Sequence, residues 1–524
     1  MILMMNIYRN PTLFFTAFIL LFSIWYTVFP DIIPYNGGFG FEGAFFYEAV
    51  AKNCYEAVVV QGINAYSIQR ILPFVVAHYV LRGLQLPLTD AVILQYFMLY
   101  NALVAVAVIY YWHRLSQFLG LGLAAVWVGY LGLLISCATL KYDLYVPFTY
   151  DRTALLVGLM SLYYHLAGHT IRLLLVALAS LAVWPTALFC NLLLLLLPPY
   201  SQIPTAGNRS ISRLWALSSG FGFVALCVYV VYIKRIHDAT IAPTATAWLP
   251  LSIGIAGAYL VITQYAIARA LLGNSAQLRQ MGKALWVRRG TWLAVGLLVS
   301  CYLLLTKVLG TQGNEHLNGK TFLVNIVYGA INRPAQFLIS HASYYGLPVV
   351  LALVYWCQVG GIIRQLGLAV GGVFVLLLLL SVNSETRQLP NLLPVLVLVT
   401  ALLVQQLAPP PRAIAYSLLI GLVLSKGWLY INWFDSTLGQ LNDKFPINVG
   451  TPGAEYAWNS PYQAYWMNIG PWTSNQFLLI QGIVLLFLLV VVRHLYGTPL
   501  LKQNSTTAAR TEQKHLLFRS RLSL

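Results

Sequence analysis

Apolar residues fall along this chain in long unbroken runs rather than in the alternation of a strand. Such runs occupy about positions 13–29, 90–112, 119–138, 153–167, 214–233, 248–272, 291–309, 345–359, 366–382, 390–407, 413–433 and 476–496. Crossing a hydrocarbon core about 30 Å thick takes roughly 20 apolar helical residues, and lipid admits only backbone that is hydrogen-bonded internally. The pattern predicts an all-α polytopic membrane protein. A further run, Arg172 to Leu197, is interrupted by Trp184-Pro185, where proline ends or kinks a helix. It reads as a hairpin of two short helices, which brings the expectation to about 12–14 transmembrane helices. No small-residue cleavage site follows Leu13–Phe29, so that run reads as a membrane helix rather than a signal peptide.

Polar stretches between the runs set the topology. Arg9, His113, Arg114, the basic loops 198–213 and 273–290, and the tail residues Lys502, Arg510, Lys514, Arg519 and Arg521 all fall on one side if the broken run is a hairpin. Excess Lys and Arg marks the cytosolic side. The expected outer loops are then 30–89, 139–152, 234–247, 310–344, 383–389 and 434–475. Residues 1–496 form one multi-pass domain, and 497–524 a polar, basic cytosolic tail. Of fourteen acidic residues, only Glu512 falls on the inner side. That asymmetry points to the outer face as the place of any chemistry. The first loop is the longest; after it, Ile68, Leu72, Val75, Val76 and Tyr79 form a helical apolar stripe beside Arg70, an amphipathic return to the membrane.

Composition agrees with this picture. Hydrophobic residues are 59%, charged residues 9% and mean hydropathy is +0.73, where a soluble domain carries about 25% charged residues. The net charge of +17 is explained by basic inner loops against anionic lipid, so no nucleic-acid partner is expected. Six cysteines make no CxxC pair and no metal spacing, and read as free thiols. No Walker loop, GxSxG elbow or HExxH occurs. His165 and His169, spaced i, i+4, lack a third ligand and read as a solvated helix end.

Three stretches carry candidate chemistry. The first loop holds Asp31, Glu42, Glu48, Glu56 and Asp90 among glycines and aromatics. In KYDLYVPFTYDRTALL (141–156), Asp151 and Arg152 stand at a helix start with Asp143 nearby. They read either as a neutralised boundary pair with Asp151 as N-cap, or as a functional pair. In VNSETRQLPNLLPVL (382–396), Arg387 reads either as a bidentate phosphate ligand or as a snorkelling cation paired with Glu385. The same alternatives hold for Arg333 in INRPAQF. Lys426, inside an apolar run, faces a cavity or snorkels.

GFEGAFFYEAVAKN (40–53) looks like the segment after the first helix of many GT-C membrane glycosyltransferases, and AYSIQRILPFVVAHYV (65–80) like the segment that follows it. The start at Asp151, the break at Trp184-Pro185 and ETRQLPNLLPVL also resemble that superfamily. The likeness spans most of the chain in architecture but only about four short patches in residues. This chain has Glu42 where the pattern most often has Asp, and it lacks the basic residue often found before the Trp-Pro break. The resemblance implies a GT-C-like enzyme in the plasma (inner) membrane, with its active face extracytoplasmic. Such an enzyme transfers sugar from a polyprenyl-phosphate donor to a glycan, lipid or protein acceptor, with inversion. On that reading Glu42 or Asp31 is the general base, and Asp151 orients the acceptor or a divalent cation (Mg or Mn). Arg387 with Arg70 holds the donor phosphate. Asp143, Glu48, Tyr47, Tyr66, Arg333 and Glu385 complete the binding candidates. A polymerase or ligase of lipid-linked glycans, and a secondary transporter, are the alternatives.

Overall fold

A computed structural model of the protein describes residues 8–33, 35–40, 46–199, 208–234, 248–272, 289–310, 319–430 and 475–497. No β-strand occurs among them. In chain order, α1 (Pro11–Val28) begins on a proline, whose absent N–H would have no partner in a first turn anyway. The first loop leads into α2 (Leu72–Gly83), α3 (Asp90–Phe118) and α4 (Leu123–Leu134). Then come α5 (Asp151–Leu166), α6 (Thr170–Ser180) and α7 (Ala187–Leu196), the last two separated at the expected Trp184-Pro185 break. The chain continues as α8 (Arg209–Val228), α9 (Leu249–Leu271), α10 (Arg289–Leu303), α11 (Gly319–Ile331) and α12 (Gln336–Tyr345). It ends as α13 (Leu347–Val354), α14 (Trp356–Leu366), α15 (Leu368–Leu380), α16 (Leu393–Leu407), α17 (Pro411–Ser425) and α18 (Asn475–Tyr496).

Among the described residues, six helices are long and apolar enough to cross a membrane, or eight if each of two bent pairs is one span, and five shorter apolar helices have 10–17 residues. The protein is therefore a multi-pass helical membrane protein. The bent pairs are α4 with Cys137–Tyr145, at 47°, and α13 with α14, at 103°. The second bend falls at Tyr355, inside the run 345–359 that periodicity alone draws as one helix.

Close helix contacts explain several glycines. A Cβ on Gly129 of α4 would lie 1.7 Å from the Trp112 ring of α3, whose indole N–H donates to the Val126 carbonyl at 3.1 Å. A Cβ on Gly158 of α5 would lie 2.2 Å from the carbonyl oxygen of Asn391, just before α16. Small residues let backbones approach in this way, which is how membrane helices gain packing. Helices α4, α5 and α16 form the enclosed centre. Helices α1, α8, α10 and α18 carry many exposed Leu, Ile, Val and Phe side chains, the composition of a lipid-facing wall.

On α2, Phe74, Ala77, His78 and Leu81 are buried, while Val76 and Tyr79 of the apolar stripe are exposed, as a face turned toward lipid would be. One expectation changes here: residues 139–152 are not a solvated loop. Each of them is buried, folded into the short turns Cys137–Tyr142 and Asp143–Tyr145 that bring the chain to α5.

Candidate functional site

The buried turns after α4 gather charge. Asp143 accepts from Arg152 Nε at 2.7 Å. The same guanidinium donates from Nη1 to the Asn101 carbonyl at 3.0 Å and from Nη2 to the Thr139 carbonyl. Asn101 returns from α3, its side-chain amide donating to the carbonyls of Asp143 (3.2 Å) and Pro147 (2.8 Å). Arg152 is thus fastened by three acceptors, the arrangement a buried guanidinium needs.

Asp151 has a different partner. Its carboxylate faces Arg387 Nε at 3.6 Å, longer than a charge-assisted bond of about 2.7–2.9 Å. The Arg387 guanidinium also stands 5.3 Å from the Tyr142 ring centre. Arg387 sits in a short 3-10 turn, Thr386–Gln388, between α15 and α16. The adjacent pairs drawn from sequence, Asp151 with Arg152 and Glu385 with Arg387, are not the pairs found. Nor is Asp151 the N-cap; Tyr150 occupies that position and Asp151 begins the first turn, where a carboxylate is favoured by the helix dipole.

Asp143, Asp151, Arg152, Arg387, Thr139 and Tyr345 surround a cavity of about 20 Å³, room for about one water. Next to it lies a larger apolar cavity, about 70 Å³, walled by residues of α12 to α16 and by Tyr259 of α9. Tyr345 and Leu393 line both, so an apolar chamber and a charged one share a wall. Burial and the carboxylates of Asp151 and Asp143 hold the Tyr345 phenol well above its usual 10, so it remains a donor. It donates to the Thr386 carbonyl at 2.9 Å.

None of the other predicted residues among those described lines this cavity. Asp31 is buried against Lys141, whose ammonium also bonds the Tyr26 hydroxyl at 2.8 Å and the Leu429 carbonyl. Arg70, 1% exposed, lies 3.7 Å from the Tyr66 ring centre and 5.5 and 5.4 Å from those of Tyr150 and Trp184. Space therefore brings a cation to the Trp184-Pro185 break that sequence order does not. Tyr47 is core, stacked on Phe74 at 4.5 Å with its hydroxyl donating to the Ser67 carbonyl at 3.3 Å. Glu48 and Asp90 both hold Lys52, at 2.6 Å each, and those two bonds raise the Lys52 pKa. Arg333 is buried between α11 and α12, and burial lowers it to about 10. Glu385 is half-buried at the start of the Arg387 turn. Lys426 ends α17 in the left-handed conformation, φ 56°. Glu42 lies outside the described residues.

Asp143 and Asp151 each already meet a guanidinium, and among the described residues no three His, Cys, Asp or Glu side chains converge as metal ligands. These donors do not fit a resident divalent cation. Lys141, His341 and Tyr345 are members of this region that sequence reasoning passed over. Lys141 was visible as a lysine at the end of an apolar run; His341 and Tyr345 carried no signal, because nothing in the sequence ties α12 to residue 386. No protein-family model, curated protein or solved structure matches the chain.

Proposed function

We propose that this chain is a GT-C-like glycosyltransferase that takes sugar from a polyprenyl-phosphate donor, with Arg387 as the phosphate anchor. The observation that carries the reading is the shared wall: Tyr345 and Leu393 line both an apolar cavity and the small charged one that holds Arg387, the side-by-side surfaces that a ligand with a hydrocarbon tail and an anionic head needs. Of the two arginines in the cluster, Arg152 is held by Asp143 and two carbonyls, while Arg387 stands on the short turn between α15 and α16 with Nε 3.6 Å from Asp151. A guanidinium at that turn suits bidentate recognition of a phosphate. Asp151, beside it, is placed to orient an acceptor. Asp31 is committed to Lys141, which favours Glu42 as the general base.

Farnesyl phosphate is a short probe of this chemistry, and native mass spectrometry of detergent-solubilised protein reads its binding. Wild type should bind it and prefer it to farnesol. Arg387→Ala should lower the affinity by about tenfold or more, and Arg387→Lys should recover little, because an ammonium lacks the planar fork. Equal binding by wild type and Arg387→Ala would remove Arg387 from the site.

A secondary transporter remains the second reading, favoured by the bends of 47° and 103°, since interrupted helices line transporter sites. Release of free polyprenyl phosphate from a sugar-charged donor, in detergent and without a gradient, separates the enzyme from the transporter.

A further inference from the structure

The turn that carries Arg387 is held by two side chains of one helix. On α12, His341 and Tyr345 are one turn apart and share a face. His341 Nε2 lies 2.7 Å from the Ser381 carbonyl oxygen, and its Nδ1 lies 3.1 Å from the Thr386 hydroxyl. A carbonyl can only accept, so Nε2 carries the hydrogen and Nδ1 is the acceptor facing the Thr386 hydroxyl, whose one hydrogen is shared between Nδ1 and the Ser384 carbonyl at 3.3 Å. Tyr345 donates to the Thr386 carbonyl at 2.9 Å. Thr386, the residue before Arg387, is therefore gripped by its side chain and by its backbone, and it is fully buried. The preceding residues are fixed as well, Ser384 Oγ donating to the Gly329 carbonyl at 2.6 Å and the Glu385 N–H to Asn383 Oδ1 at 3.0 Å.

We infer that His341 and Tyr345 are positioning residues that set the Arg387 guanidinium for its anionic ligand. The inference rests on the proposed function above, and it names residues which that reading does not use. An anchor held this way loses less entropy on meeting a phosphate than a mobile arginine does. Burial lowers His341 from its usual 6.5 to about 4, which keeps the accepting Nδ1 available at neutral pH.

The test is farnesyl phosphate binding by native mass spectrometry in two backgrounds, with melting temperature as the check on folding. With Arg387 present, His341→Leu and Tyr345→Phe should each weaken binding by about tenfold, the scale of one lost buried hydrogen bond. His341→Gln keeps one donor and one acceptor and should restore most of the affinity. In the Arg387→Ala background the same substitutions should change nothing further, because residues acting through one group are not additive. Wild-type affinity in His341→Leu and Tyr345→Phe would overturn the inference and leave the proposed function standing. A further loss in the Arg387→Ala background would overturn it too, by showing action elsewhere. If wild type binds no farnesyl phosphate, the proposed function falls and the inference with it.

Discussion

His341 shows how much one buried side chain can report. It is 5% exposed, and burial lowers its pKa to about 4 from 6.5. Between those values the unfolded chain binds a proton that the folded chain refuses, so stability rises with pH through this window. The contribution is complete above about 6.5 and is lost as pH falls toward 4. At about pH 5 the loss amounts to about 2 kcal/mol relative to about pH 7.5. Thermal melts at those two values should show a gap that narrows in His341→Gln; an unchanged gap would mean that His341 is not the titrating group. The ion pairs teach a related lesson. Charged residues close in sequence, Asp151 with Arg152 and, on one of two readings, Glu385 with Arg387, suggest pairs, yet the pairs found are Asp143 with Arg152 and Asp151 with Arg387. Successive helical residues point about 100° apart, so adjacent charges do not face each other. The residue types of the cluster were legible, but their partners required the fold.

At the scale of elements, apolar run length located most of the long helices, because in lipid a helix is the form that satisfies its own backbone. It missed α11 and α12, inside the stretch 310–344 expected as a loop, and among the described residues six to eight helices reach spanning length where about 12–14 were expected. Breaks were legible only where chemistry marks them. Pro185 announced the gap between α6 and α7, whereas the 103° bend at Tyr355 has no proline in it and was invisible. The buried face of α2 was not legible, since hydrophobicity cannot tell a protein-facing side from a lipid-facing one. Gly158 lets α5, with Asp151, close on the segment leading from Arg387 to α16. Gly158→Ala would place a methyl 2.2 Å from the Asn391 carbonyl oxygen, and rigid backbone must shift to admit it. Overpacking of this kind costs about 1–3 kcal/mol. The variant should melt lower and bind farnesyl phosphate more weakly, as the two walls of the charged chamber move apart. Gly222→Ala on α8, where a Cβ meets open space, is the control and should hold or slightly raise the melting temperature. Equal melting temperatures for Gly158→Ala and wild type would show that this approach is not tight.

Across the whole molecule, charge separates along the helix axes. Asp31 follows α1, Asp90 begins α3 and Asp151 begins α5, so one end of the bundle collects carboxylates and their cationic partners. The other end holds Arg9, His113 and Arg114, with Thr12 of α1 bonded to His113 Nδ1 of α3 at 3.0 Å. Helix α3 alone, 29 residues, reaches about 44 Å, enough to pass through the hydrocarbon core with both ends in water. The proposed function needs the candidate site at the outer face, and the positive-inside rule predicts the Arg9 and Arg114 end on the cytosolic side. Asn53 and Gln117 are exposed near opposite ends of this arrangement. With the six native cysteines replaced, Asn53→Cys should react with an impermeant maleimide in intact cells, and Gln117→Cys only after permeabilisation. Labelling of both from the same side would break the bundle's assignment as a through-membrane unit. Reversed labelling would keep the bundle but turn the Arg387 chamber toward the cytosol, where a donor charged with sugar on the outer leaflet could not reach it.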